Sequence, residues 1–121
     1  MATQGVSADS IRALVTQGKQ HRPELASRLE RAAMIVLFRT VQVADAAHHE
    51  YRVESESEQG RFYRVNGTCS CPDYSRAPGH WCKHTLSVAL VERAAEDAER
   101  AQQTRQAVEA EWTAAATVRG Y

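Results

Sequence analysis

Apolar residues in the first third of the chain recur at helical spacing. Ser7 can cap a first short helix and Gly18 can end it. Pro23 then suits the first position of a second helix, because the N–H that proline lacks has no helical partner there. Residues three or four positions apart give this second helix one packing face: Leu25, Leu29, Ala32, Ala33, Val36 and Leu37.

Beyond Phe38 the spacing changes from helical to alternating. Val41 and Val43 predict one strand, Tyr51 and Val53 predict a second, and a third runs over 61–65. Two glycine-containing turns bound the third strand: Glu58–Gly60 and Asn66–Gly67. The middle of the chain therefore predicts a small antiparallel sheet of two or three strands.

From Trp81 to about Val118 no proline or glycine interrupts the sequence, which predicts one long helix. Apolar residues form a packing stripe along its first three turns, but this stripe then thins to alanines, Val108 and Trp112. The far half is therefore expected either to project into solvent or to pack closely on another helix through small residues.

Composition and charge exclude several classes of protein. Fifteen Lys and Arg balance fifteen Asp and Glu, which excludes a histone-like basic coat. The longest apolar run has seven residues, 32–38, far short of the ~20 that a membrane helix needs. The first residues have no basic-then-apolar pattern, so we expect no secretory signal and a cytoplasmic location. Thirteen arginines against two lysines, with frequent alanine, suggest a GC-rich bacterial or phage source.

Catalytic motifs are missing from the sequence. No Ser-His-Asp order, paired inward carboxylates, P-loop or glycine-rich cofactor loop can be assembled, so we expect no enzyme activity.

All three cysteines belong to two tight pairs of potential metal ligands, Cys69-Ser-Cys71 and Cys82-Lys-His84. Three thiolates and one imidazole match the tetrahedral preference of Zn²⁺ and leave no open position, as in structural zinc sites. The pattern predicts one structural zinc. The alternative is three unrelated reduced cysteines and a surface histidine.

Neighbouring residues extend this pattern into a resemblance to SWIM zinc fingers, whose ligands are Cys-x-Cys followed by Cys-x-His. The matching residues lie within about 49–92: Tyr51-x-Val53, Phe62–Val65, Cys69-Ser-Cys71-Pro-Asp-Tyr74, Cys82-Lys-His84, Leu86 and Val88–Val91. The resemblance implies a zinc-bound ββα module that binds DNA or protein, with ligands Cys69, Cys71, Cys82 and His84.

With this resemblance, the expected fold class is α+β, with the small zinc-bound sheet between N-terminal helices and a long C-terminal helix. We expect a single domain over 1–121, because a chain of this length buries one modest core. Its parts are an N-terminal helical part (1–39), the zinc-binding module (40–92) and an extended C-terminal helix (85–121).

Basic residues beside the ligand pairs are the candidates for phosphate contacts: Arg64, Arg76 and Lys83. For Lys83 the simpler role is to neutralise the zinc centre, whose three thiolates leave it with a charge of −1. Three acidic residues are expected on the hairpin, away from the metal: Glu54, Glu56 and Glu58. A solvated helix face is expected for Arg22, Arg28 and Arg31. Burial is expected for Tyr51, Val53, Phe62 and Trp81, whereas a helix cap or an exposed position is expected for His80.

Two functions remain open. In the first, the chain is an accessory protein that binds nucleic acid, DNA more than RNA, through the zinc loop and helix start. In the second, it is an adaptor whose zinc module and long helix bind a partner protein or a second copy. The family resemblance favours the first. The zero net charge and an acidic C-terminal third, with six acidic and four basic residues in 85–121, favour the second.

Overall fold

A computed structural model describes residues 6–118, with side chains as far as residue 115. The main elements, in chain order, are α1 (Ala8–His21), α2 (Ala26–Phe38), β1 (Val41–Asp45), β2 (Glu50–Glu54), β3 (Phe62–Val65) and α3 (Lys83–Val118). Short 3₁₀ turns occupy Pro23–Leu25, Ala46–His48 and Pro78–His80. The α+β class is therefore confirmed, with three helices and one small sheet.

The two N-terminal helices form as the apolar spacing indicates. The Ser7 hydroxyl oxygen accepts a hydrogen bond from the Ser10 N–H at 3.1 Å and caps α1. Pro23 starts a 3₁₀ turn instead of α2, and α2 itself begins at Ala26. The buried faces of α1 and α2 pack with α3 into one core: Ile11, Val15, Leu25, Leu29, Ala32, Ile35, Val36, Leu86, Leu90 and Ala94.

The sheet is antiparallel with strand order β1-β2-β3. Val41 pairs with Val53, and Tyr51 pairs with Val65, and all four side chains are buried. Burial of Tyr51 and Val53 is thus confirmed. Phe62 is only half-buried and lies under the Arg52 guanidinium, 4.9 Å from its ring centroid.

Glu54 corrects the expectation of an exposed acidic hairpin. Its side chain is buried, and its carboxylate accepts hydrogen bonds from the Thr40 N–H at 3.0 Å and the Gly60 N–H at 2.9 Å. Gly60 has a φ of +84°, which glycine adopts without strain, so its N–H can turn toward the carboxylate. The Glu54 side chain therefore ties the start of β1 to the β2–β3 turn.

The far half of α3 projects into solvent, which decides between the two expectations for it. Every side chain from Ala98 to Ala115 is exposed, including Trp112 at 72%. We call residues 98–115 the distal segment; it is about 27 Å long. Within residues 6–118, no helix combines the length and the apolar character that a membrane crossing requires.

Replacing Glu54 with Gln is expected to lower the melting temperature by about 5 °C or more, because the new amide group must face a backbone N–H donor. Hydrogen bonds from Gly60 and Thr40 hold the pKa of Glu54 below its usual value. The carboxylate therefore stabilises the fold at neutral pH, and this contribution is lost as the pH falls through the folded-state pKa.

Thermal unfolding at neutral pH measures the effect. The control is Glu58→Gln, because Glu58 is exposed and pairs only with Arg61. Equal melting temperatures for the two variants would contradict the assigned role of Glu54.

Candidate metal centre

The first ligand pair lies just after the sheet, on a tight turn. Asn66 donates its N–H to the Thr68 carbonyl at 3.0 Å, and Gly67 takes a φ of +70°. The chain then returns far enough for Cys69 to pair with Val65 as an isolated β-bridge. The Asn-Gly turn therefore fixes Cys69 against the end of β3, with Cys71 two residues further on.

The second pair lies at the start of α3. Cys82 immediately precedes the helix, and its carbonyl accepts the first helical hydrogen bond, from the Leu86 N–H at 3.0 Å. The Thr85 N–H also points at the Cys82 sulfur, at 3.5 Å. A thiolate here occupies an N-cap position, where the helix dipole favours negative charge.

The three thiols affect one another's ionisation. A hydrogen bond from the Cys69 thiol lowers the pKa of Cys82 against the cost of burial, and hydrogen bonds from His84 and Thr85 lower it further. The same contact with Cys82, followed by burial, raises the pKa of Cys69. Burial raises the pKa of Cys71. Three thiolates therefore need a nearby cation in order to coexist in this site.

The four side chains converge on one point. Their ligand atoms all lie within 4.8 Å of one another, and all four residues are buried. In a tetrahedral site with Zn–S bonds of about 2.3 Å, the corners are about 3.7 Å apart, so the group is close to the required spacing. Cys69, Cys71, Cys82 and His84 can therefore hold one metal ion.

His84 gives the strongest sign that an ion belongs there. Its side chain is 1% exposed, and neither ring nitrogen has a hydrogen-bond partner. A buried polar group without a partner costs free energy, so such groups are rare unless a ligand satisfies them. The Tyr63 ring lies 4.5 Å from the imidazole and holds it in place. One nitrogen of His84 is thus available to a metal.

The loop between the ligand pairs is fastened to α2 by an ion pair that the sequence analysis missed. The Arg28 guanidinium donates two hydrogen bonds to the Asp73 carboxylate, at 2.8 and 2.9 Å. This contact lowers the pKa of Asp73. Arg28 was expected on a solvated face, and that expectation is wrong. No sequence signal links two residues 45 positions apart, because their pairing depends on how α2 packs.

The three candidate phosphate contacts have different surroundings. Arg64 donates to the Glu50 carboxylate at 2.6 Å, and Lys83 donates to Glu56 at 2.8 Å. Glu56 therefore lies against the helix start, not away from the metal as expected. Arg76 is exposed and has no carboxylate within ion-pair distance in the described part of the chain.

Aromatic residues in the loop surround the centre without joining it. His80 is exposed, as expected; its Nδ1 lies 3.0 Å from the Tyr74 carbonyl oxygen, and its ring stacks on the Tyr74 ring. Trp81 was expected in the core, but 37% of it is exposed. It follows a 3₁₀ turn in which Gly79 and His80 both have positive φ, and this turn directs the chain outward before α3 begins.

Comparisons with known proteins add no family assignment. No family model, curated protein or solved structure matches this chain. The Cys₃His group is consistent with a zinc finger on its own geometry, through four buried ligands on a turn and a helix start.

We expect purified protein to contain one metal ion per chain, and we expect Cys82→Ser and His84→Ala to lose it. Metal binding supplies about 10–16 kcal/mol in zinc-finger peptides, so its loss should unfold residues 61–92. The α1–α2 pair should keep much of its helical structure. Elemental analysis and ¹⁵N NMR spectra measure both effects.

Ser70→Ala is the matched control, because Ser70 is exposed between two ligands. Metal-free wild-type protein with all three thiols freely reactive would contradict the site.

Proposed function

We propose that the chain is a SWIM-type module built around one structural zinc and that its role is binding, not catalysis. The carrying observation is the closed Cys₃His set, because four protein ligands leave no coordination position for a substrate. Thiolate and imidazole donors favour zinc over the oxygen-preferring magnesium and calcium ions.

We further propose that the module acts as an adaptor that binds protein. The distal segment supports this proposal, because an 18-residue stretch of helix with exposed Val108 and Trp112 packs against nothing in its own core. A helix gains little stability alone, so an apolar stripe on it favours a partner.

A second copy of the chain is the partner that the distal segment fits best. Its stripe continues the core-facing positions Leu90 and Ala94 at coiled-coil spacing: Ala98, Ala101, Arg105, Val108, Trp112 and Ala115. Small residues come first and large ones last, so antiparallel pairing sets large side chains against small ones. Two arginines and three glutamates give the distal segment a charge of −1, so two copies repel only weakly.

Sedimentation equilibrium across micromolar to near-millimolar concentrations tests this pairing. We expect a reversible dimer for the wild type and a monomer for the Val108→Glu/Trp112→Glu variant, because both changes bury charge in the seam. Gln103→Glu is the matched control, since residue 103 lies on the opposite face of the helix. A wild-type chain that stays monomeric throughout would contradict the pairing.

Nucleic acid is a second candidate partner, supported by a polar cleft beside the zinc loop. The cleft has a volume of about 390 Å³, and its lining includes Arg28, Arg31 and Lys83. Arg31 is exposed and, like Arg76, has no carboxylate partner among residues 6–118. Lys83 and Arg28 are less available, because their ion pairs with Glu56 and Asp73 must break first.

For this candidate, Arg31→Gln/Arg76→Gln should weaken DNA binding at all sequences and lower the salt slope by about one per phosphate contact. Fluorescence anisotropy with a labelled duplex at several salt concentrations measures this. Arg12→Gln, on the exposed face of α1, is the control. Absence of salt-dependent binding to DNA or RNA by zinc-loaded wild type would reject the candidate.

A further inference from the structure

An open groove lies on the side of the metal centre where the loop meets α3. It has a volume of about 360 Å³. Tyr74, His80 and Trp81 line it from the loop, and one face of α3 lines it with Val88, Ala89 and Glu92. From the start of α3 to Glu92 is about 14 Å along the helix axis. We call this feature the α3 groove; one end is aromatic, the floor is apolar and the other end carries a carboxylate.

Glu92 gives the α3 groove its charge. No arginine or lysine lines the groove, and Glu92 is the one carboxylate in its lining. The Tyr51 hydroxyl donates to Oε2 of Glu92 at 3.0 Å, and Nδ1 of His49 lies 3.3 Å from the same oxygen. Oε1 has no hydrogen-bond partner within the described residues, so it is free to accept one from a ligand.

Tyr51 keeps this carboxylate in position. Burial and the neighbouring Glu92 raise the pKa of Tyr51 to about 12, so the phenol remains a proton donor at neutral pH. The phenol itself is anchored in the core on β2. The carboxylate therefore sits on a rigid support, as a recognition site requires.

These surfaces are complementary to a basic side chain. The methylene stem of arginine or lysine can lie on Val88 and Ala89, while its charged head donates a charge-assisted hydrogen bond to Glu92. The exposed ring of Trp81 offers a face for a cation or for the flanking peptide. An anionic ligand would meet Glu92 unfavourably, and a purely apolar one would leave this carboxylate without a partner.

We propose that the α3 groove binds an arginine or lysine side chain of a partner protein. This inference rests on the proposed adaptor function and names the residue that the adaptor recognises. It assigns a binding role to Glu92 and Trp81, which belong neither to the metal centre nor to the distal segment.

The probe is the short peptide acetyl-Gly-Arg-Gly-amide, titrated into the zinc-loaded full chain and followed by ¹⁵N NMR. Acetyl-Gly-citrulline-Gly-amide is the matched control ligand, because citrulline has nearly the shape of arginine without its charge. We expect saturable shifts at Thr85, Ala89, Glu92 and the Trp81 indole N–H for arginine, and at least tenfold weaker binding for citrulline. The lysine peptide should behave like the arginine peptide.

Two variants locate the site. Glu92→Gln should weaken arginine binding about tenfold while keeping the metal, because glutamine still accepts from Tyr51. Glu96→Gln, one turn further along α3 and outside the groove, should leave binding unchanged.

Equal binding of the arginine and citrulline peptides would overturn the proposal, and so would shifts confined to other acidic residues or no shifts at all. The two proposals fail separately: if arginine does not bind but the chain dimerises through the distal segment, the groove inference is wrong and the adaptor proposal stands.

Discussion

The meeting of four metal ligands in a buried space is the constraint on which the structure depends. Cys69 and Cys71 come from a turn after the sheet, whereas Cys82 and His84 come from the start of α3, so one ion would join the sheet to the longest helix. Without an ion the site holds three crowded thiols and a histidine whose two nitrogens lack partners. A three-stranded sheet this small has little other means of holding its last strand against a helix.

Charge in the zinc-binding half serves mainly to hold the molecule together. Arg28 pairs with Asp73, Lys83 pairs with Glu56 and Arg64 pairs with Glu50. The first two pairs connect the ligand loop and helix start to distant parts of the fold. Exposed binding capacity lies elsewhere, in the distal segment and in the α3 groove. This distribution supports a protein-binding adaptor more strongly than a phosphate-binding surface.

The sequence was informative where structure depends on local spacing. The ligand pairs, the Asn66–Gly67 turn, the sheet and the uninterrupted α3 all follow from neighbouring residues, and each is present. Contacts between distant segments were not predictable. Glu54 is buried because two backbone N–H groups from other segments converge on it, and Trp81 is exposed because a positive-φ turn precedes it. Hydrophobicity and charge alone gave the opposite expectation for both.

X-ray absorption at the zinc edge of the purified protein tests the central claim most directly, because it reports the atoms bound to the metal. The account predicts three sulfur ligands at about 2.3 Å and one nitrogen ligand at about 2.0–2.1 Å. The spectrum should contain no oxygen ligand. A first shell with two or fewer sulfurs, or one completed by water oxygen, would contradict a closed structural site formed by Cys69, Cys71, Cys82 and His84.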